Sequence, residues 1–510
     1  MTRLLALPIA VPLAAAAACA LIRRAGPRRA VAFGILASIL AYDIFLISIT
    51  AEGSIPATQV GGWPSPFAIP LAADLFSALM LFVAALMVLV CGAFAAARGE
   101  DRSRFFYSLV LVLTAGISGA FLTADIFNLF VFFEVMLVAS YVLLSLVGLR
   151  DQVRAGAVYV VTSLTGSTLL LAGVALTYGA VGTVNLAELG TLGERAPQMM
   201  VPGSLFLVAF ALKSSLAPVH GWLPTSYPAA SPAVAALFSG LLTKVGIYAM
   251  YRVHSVVFQA ESEIQTLLLV VASATMLIGV LGALGREDMK QILSFHIVSQ
   301  VGYMVMGLGL FGTLGLAGGI FYILHHIVVK TSLFLSSGAV ETVEGDTALG
   351  KIAGVARRQP VVAASFVVAA LSLAGLPPFS GFFAKLVLVQ AAFGGGEYGV
   401  AAVAIVVSFL TLMSMLKIWN GVFADGSLEL ERAGTVTVRK LVTISGGSGA
   451  ADDAGVAPRR GRIALVAPGA FLAAVSILAG LGAQGLFVLA QRAAAGLVEP
   501  AAYIQAVLGS

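Results

Sequence analysis

The chain has 510 residues, 60% hydrophobic and only 10% charged, with a mean hydropathy of +1.02, which is more apolar than a water-soluble core of this length tolerates. A net charge of +5 in so apolar a chain reflects the loops between membrane spans and excludes a nucleic-acid partner as the economical reading. The two cysteines, Cys19 and Cys91, lie far apart inside apolar runs and argue against a disulfide framework or a cysteine metal site.

Segments long enough to cross roughly 30 Å of hydrocarbon, about twenty residues each, fall near residues 3–22, 31–50, 71–97, 106–124, 126–148, 157–179, 203–225, 232–255, 264–285, 291–311, 314–336, 360–391, 398–424 and 463–490. The expected fold is therefore an all-α polytopic membrane protein of about 14 transmembrane helices. The first run has only Arg3 before it and reads as a first span, not a cleaved signal peptide. Of the 29 Lys and Arg residues, nineteen fall in alternate loops, and the opposite loops hold four, Arg3, Arg195, Arg252 and Arg492. By the positive-inside rule the rich loops are cytoplasmic, and an even span count puts both termini on the other side. The stretch 425–462 is rich in Gly, Ser, Asp and Arg and is expected to be a flexible cytoplasmic loop.

Six lysines remain, and they sit in or at the ends of spans: Lys213, Lys244, Lys290, Lys330, Lys385 and Lys417. A charge at mid-membrane costs roughly 2.5 to 3.5 kcal/mol on insertion scales and persists where it is paired, hydrated or used. Glu134 joins them in DIFNLFVFFEVMLVASYVLL, either as half of a structural ion pair or as a protonatable relay; the relay is the favoured reading. Lys213 stands in VAFALKSSLAPVHGWLPTSYPAASP, where Pro218, Pro224, Pro228 and Pro232 must break the helix; such breaks at membrane depth commonly mark ion sites, the alternative being a kinked end with a snorkelling lysine. The design recurs 172 residues later in LSLAGLPPFSGFFAKLVLVQAA, where Pro377 and Pro378 break a span and Lys385 follows. Two broken helices suggest an internal repeat and would fit two inverted five-helix units. The organisation expected is helices 1–3 in 1–105, a first unit in 106–255, a second in 256–424, the loop 425–462, and the last helix with a tail in 463–510.

His326 and Lys330 are one turn apart on one face and either share a proton or are satisfied core residues, whereas His325 points about 100° away and joins His220 as a candidate gate or relay. Lys244, midway through SGLLTKVGIYAM, cannot reach water without a cavity and is counted in the relay. His220, beside the first break, is a gate or a capping group. Lys417, with Trp419 close by, is an interfacial anchor or the mouth of a path, and Lys290 beside Arg286, Glu287 and Asp288 is interfacial. His296, Ser294 and Ser299 have no assigned role. Asp43 and Asp74 lie near predicted span ends and are expected to face headgroups. Burial disfavours a charged form while pairing favours it, so a Glu134–Lys213 pair that opens and closes would act as a proton switch. No nucleotide-binding glycine loop, metal cluster or nucleophile constellation is present in the sequence, so neither an enzyme nor a cofactor is expected.

FNLFVFFEVMLVASYVLL, ALKSSLAPVHGWLPTSYPAASP, MKQILSFHIVSQVGYM, HHIVVKTSLFLSSG and LAGLPPFSGFFAK, in this order, resemble the antiporter-like subunits shared by respiratory complex I and Mrp cation/proton antiporters. The resemblance covers roughly residues 70–424. It implies Glu134 and Lys213 as the coupled pair, Lys244, His326 and Lys330 as the central connection, and Lys385 as the terminal lysine. It further implies a subunit of a multisubunit Na+/H+ antiporter in the bacterial inner membrane, whose partners are subunits of the Mrp A, B, C, E, F and G types. Sodium would be handled indirectly, since few buried carboxylates stand beside Glu134. The rival readings are a proton-pumping subunit of a respiratory NADH dehydrogenase or membrane hydrogenase, and a scaffold whose buried charges only hold a complex together.

Overall fold

The computed structural model describes residues 2–63, 68–146, 148–192, 196–258, 262–424 and 459–509. The apolar runs fold as helices because a segment with no water around it must satisfy its own backbone N–H and C=O groups. In chain order they are α1 (Leu7–Leu21), α2 (Ala25–Ala51), α3 (Leu75–Arg98), α4 (Phe106–Leu122), α5 (Ile126–Leu144), α6 (Arg150–Val181), the short α7 (Leu186–Thr191) and α8 (Ala196–Ser214). There follow the short α9 (Trp222–Ser226), α10 (Pro232–Val253), α11 (Ser262–Leu284), α12 (Met289–Gly309), α13 (Thr313–Glu344) and the short α14 (Val355–Arg358). The last are α15 (Pro360–Ala374), α16 (Ser380–Gly394), α17 (Tyr398–Ile418), α18 (Arg459–Leu481), α19 (Ala483–Val498) and α20 (Ala501–Leu508). A small antiparallel hairpin, β1 (Ala57–Val60) and β2 (Ile69–Ala72), with Ala57 opposite Ala72, joins α2 to α3.

Among the described residues twelve helical stretches are long and apolar enough to cross a membrane, and the 17-residue α4 and the interrupted pair α15 and α16 complete the fourteen spans expected. Almost every residue of α10, α12 and α13 is buried, so these three form the centre of the bundle, while α1, α2 and α6 turn large apolar side chains outward. Both proline-rich spans are broken: α8 ends at Ser214, with Ser215 at φ 62°, and α15 ends at Gly375, with φ 85°. At that angle a side chain would be strained, which is why glycine ends the second half-helix.

The two five-helix units share a skeleton at a spacing of 163 residues. Asp125 caps α5 by accepting the Asn128 N–H at 2.7 Å, and Asp288 caps α12 by accepting that of Gln291 at 3.0 Å. Helix α4 meets α5 where Gly116 faces Met136 and Gly119 faces Phe132; α11 meets α12 where Gly279 faces Ser299 and Gly282 faces Phe295. The strand-like bridge Asp125 to Asn185 returns as Asp288 to Ala348, and α13 begins and ends 163 residues after α6.

Several expectations are corrected. Arg252 is not a loop residue: it lies in α10, 2% exposed, and its Nη2 donates to Asp74 Oδ1 at 2.7 Å. Asp74 therefore does not face headgroups; it caps α3 and pairs with Arg252. Asp43 is fully buried in α2, and neither of its oxygens has a hydrogen-bond partner among the described residues. The span expected at 463–490 ends at Leu481, and Gly482 turns the chain into α19, packed on α13. Arg459–Arg462 open α18 and do not belong to the preceding loop, whose residues 425–458 lie outside the described residues, as does Arg195.

Candidate proton-relay axis

Close helix contacts bring Lys244, His326 and Lys330 together. On α10, Gly240 faces Thr331 of α13, so the two helices approach closely one position from Lys330 and one turn from Lys244. Lys244, His326 and Lys330 are all fully buried, and each lies within electrostatic reach of the others. Lys244 donates to the Ser239 carbonyl. The Lys330 ammonium and both ring nitrogens of His326 have no hydrogen-bond partner among the described residues. Cationic or neutral, such groups are costly to leave unsatisfied in an apolar core, and a structural role would have been served more cheaply by apolar side chains.

Lys213, at the end of α8, donates from Nζ to Ser167 Oγ of α6 at 2.8 Å and lies over the Phe133 ring, 5.5 Å from its centre. Glu134 is half-buried one residue further along α5, its Oε1 unpartnered, and it acts on Lys213 through space without forming an ion pair. The expected pair is thus open in this structure. A cavity of about 10 Å³ lined by Tyr159, Ser163, Lys213 and Trp222 lies beside them, with room for about one water.

Lys385 sits on the half-helix after its break and turns back to the one before it. Its Nζ donates to the carbonyls of Leu373 at 2.9 Å and Ala374 at 3.2 Å and to Ser408 Oγ at 2.9 Å, 4.8 Å from the Tyr303 ring centre. The ammonium satisfies carbonyls that a helix end leaves without partners and complements its negative dipole end. Between Lys330 and Lys385 stand groups to which the sequence reading gave no role. His296 bonds Ser414 Oγ through Nε2 at 2.7 Å, Tyr322 donates to Gln300, and the Tyr322 ring stacks on Tyr303 at 5.1 Å and on His326 at 6.3 Å. Neutral polar side chains carry no mid-membrane penalty large enough to stand out in a sequence.

His325 points away from His326, as expected, and bonds Ser380 Oγ through Nδ1 at 2.8 Å. Ser380 joins Ser372 and Ser476 of α18, whose hydroxyls are 3.0 Å apart, in a buried cluster at the second break. His220 lies in a turn after the first break, half-buried, with Nδ1 unpartnered, while Trp222 Nε1 donates to the Leu212 carbonyl at 2.9 Å and does the capping. Lys417 stands off the axis: it donates to the Leu284 and Arg286 carbonyls at 3.0 and 2.8 Å and to Glu287 at 2.7 Å, and so anchors the end of α11. Lys290 pairs with Glu341 at 3.2 Å.

Residues 123–411, more than half of the chain, match the family described as NADH:quinone oxidoreductase/Mrp antiporter, TM. The chain belongs to this family. Its relatives include the D-type subunit of the Na(+)/H(+) antiporter of Alkalihalophilus pseudofirmus, 40% identical with both chains covered in full. A chain of the Mrp complex from Dietzia sp. DQ12-45-1b superposes with a TM-score of 0.92 at 45% identity, again over 100% of both. A chain of respiratory complex I from Thermus thermophilus superposes with a TM-score of 0.78 at 26% identity, over 98% of this chain and 100% of that one. The family match begins at Thr123, just before α5, and so takes in every residue of the axis from Glu134 to Lys385.

Proposed function

We propose that this chain is the proton-carrying subunit of a multisubunit Na+/H+ antiporter in the bacterial plasma membrane, with both termini on the non-cytoplasmic side. The observation that carries the reading is the core formed by Lys244, His326 and Lys330, fully buried with no carboxylate paired to it among the described residues, with His296 within electrostatic reach of both Lys330 and Lys385. Full-length likeness to a D-type Na(+)/H(+) antiporter subunit and to a chain of an Mrp complex supports the antiporter over the redox pump, whose solved relative in respiratory complex I is only 26% identical.

In this reading Glu134 exchanges with Lys213 when α5 and α8 close on each other, and Ser167 holds the ammonium while they are apart. The proton passes through the nearby water site to Lys244, then across the His326 and Lys330 core. It reaches Lys385 by way of His296 and Tyr322, and His220 and His325 adjust the two breaks. Sodium binds elsewhere in the complex, on Mrp-type partner subunits.

Sodium-driven proton movement in vesicles carrying the whole complex tests this, with Lys213→Ala and Glu134→Ala compared on a native gel. Transport lost with assembly intact is the expected result. Normal transport in both variants sinks the relay; loss of assembly restores the scaffold, and a proton gradient that needs NADH or hydrogen restores the redox pump.

A further inference from the structure

Away from the axis, at the arginine-bearing end of the bundle, a cavity of about 590 Å³ opens between the end of α13, the start of α15 and the start of α18. Glu344, its nearest charged group on α13, lies fourteen residues beyond Lys330, about 21 Å along the helix at ~1.5 Å per residue, so the cavity is no part of the relay. Its walls are apolar and open sideways: Val361 and Ile463 are 53% and 64% exposed. Its rim is polar. Arg358 donates to Glu344 from Nε at 3.1 Å and from Nη2 at 2.9 Å, and Gln359 Nε2 donates to the same carboxylate at 3.2 Å. Among the described residues of its lining, Arg358 is the one cation and Glu344 the one carboxylate.

An apolar slot between spans, open to the side and closed at the membrane surface by an arginine fork, has the shape and charge of a lipid site. The walls suit acyl chains, the guanidinium suits a phosphate diester bidentately, and basic pockets between transmembrane helices hold anionic headgroups. Water would find no partners along the apolar walls. We propose that this cavity binds an anionic phospholipid, its acyl chains lying between α15 and α18 and its phosphate drawing Arg358 from Glu344.

The test uses the whole purified complex, stripped of lipid and then supplied with phosphatidylglycerol, cardiolipin, phosphatidylcholine or inorganic phosphate, with melting temperature and native mass read out. The anionic lipids are expected to raise the melting temperature by several degrees and to remain bound. Val361→Trp, which fills the slot without altering charge, and Arg358→Gln are each expected to cut that rise by half or more and to remove one bound lipid. Ala467→Phe fills the slot from α18 where the tryptophan variant fails to assemble. An equal rise with phosphatidylcholine or with inorganic phosphate, or an unchanged rise in the slot-filling variants, would overturn the proposal.

Discussion

The two five-helix units have the same skeleton and different chemistry. Capping aspartates, packing glycines and the bridge after the third helix recur at 163 residues, but at the same spacing Glu134 becomes Ile297, Ser163 becomes His326 and Ser167 becomes Lys330. The broken helices differ too. Lys213 stands before its break, where neutral Trp222 covers an end carbonyl, while Lys385 stands after its break and covers the end carbonyls itself. Backbone geometry is therefore repeated and the ionisable groups are distributed unevenly over it, with the one carboxylate at the first end and the unpartnered lysine and histidine in the middle.

The sharpest way to break this asymmetry is to give the second unit the first unit's residue. Lys330→Ser is expected to lower sodium-driven proton transport to below about one-hundredth, a barrier increase of ~2.7 kcal/mol, with the complex still assembled. Ser167→Ala, which removes only the hydrogen bond to Lys213, is expected to cost on the order of tenfold, since a bond to a charged group is worth about 1.5–3 kcal/mol and part of it is recovered by water. Equal losses in the two variants would mean that both positions only pack the bundle.

The symmetric part makes the opposite prediction. A Cβ on Gly116 would meet the Met136 backbone, and one on Gly279 the Ser299 backbone, so Gly116→Ala and Gly279→Ala should each destabilise by about 1–3 kcal/mol through overpacking. Melting of the purified complex should fall by a similar amount in both. A tolerant Gly279 beside an intolerant Gly116 would show that the units are not mechanically equivalent.

The spans and the buried charged residues of the candidate axis stood out because hydrocarbon penalises a charge strongly enough to leave few of them, and the breaks because proline removes a helical donor. Ser167, Gln300 and Tyr322 were not, because a hydroxyl or amide in a membrane helix is common and gives no sign of its partner. Arg252 was misread because it lies near a span end, and its partner Asp74 is 178 residues away. The open Glu134–Lys213 arrangement is a property of conformation, which residue spacing does not fix. Ser476 was invisible for a related reason: its helix comes last, and only the packing of α18 on the second break brings it to Ser372. Ser476→Ala is expected to change transport by no more than a few-fold while shifting its pH profile, because the cluster reaches His325 through Ser380. A rate change with an unmoved profile would reduce Ser476 to packing.

The smallest contrast lies in the turns that follow α6 and α13. In the first, Thr183 Oγ1 accepts the Asn185 N–H at 3.2 Å; in the second, 163 residues on, Asp346 accepts those of Ala348 at 2.9 Å and Thr347 at 2.8 Å and pairs with Lys351 at 2.9 Å. The Ala348 N–H, then Lys351, then the Thr347 N–H hold the exposed Asp346 carboxyl down to about 2. Because this lies below the ordinary carboxylate value of about 3.9, the ionised turn's added stability is complete above that value and is lost as pH falls toward 2. Amide exchange at Ala348 should therefore quicken over that window, beyond the intrinsic rate, and Asp346→Thr should abolish the pH dependence. The Asn185 amide, held by a hydroxyl that does not titrate, should stay flat throughout. Loss of protection at both turns together would mean that acid loosens the whole bundle and that the charged turn has no switch of its own.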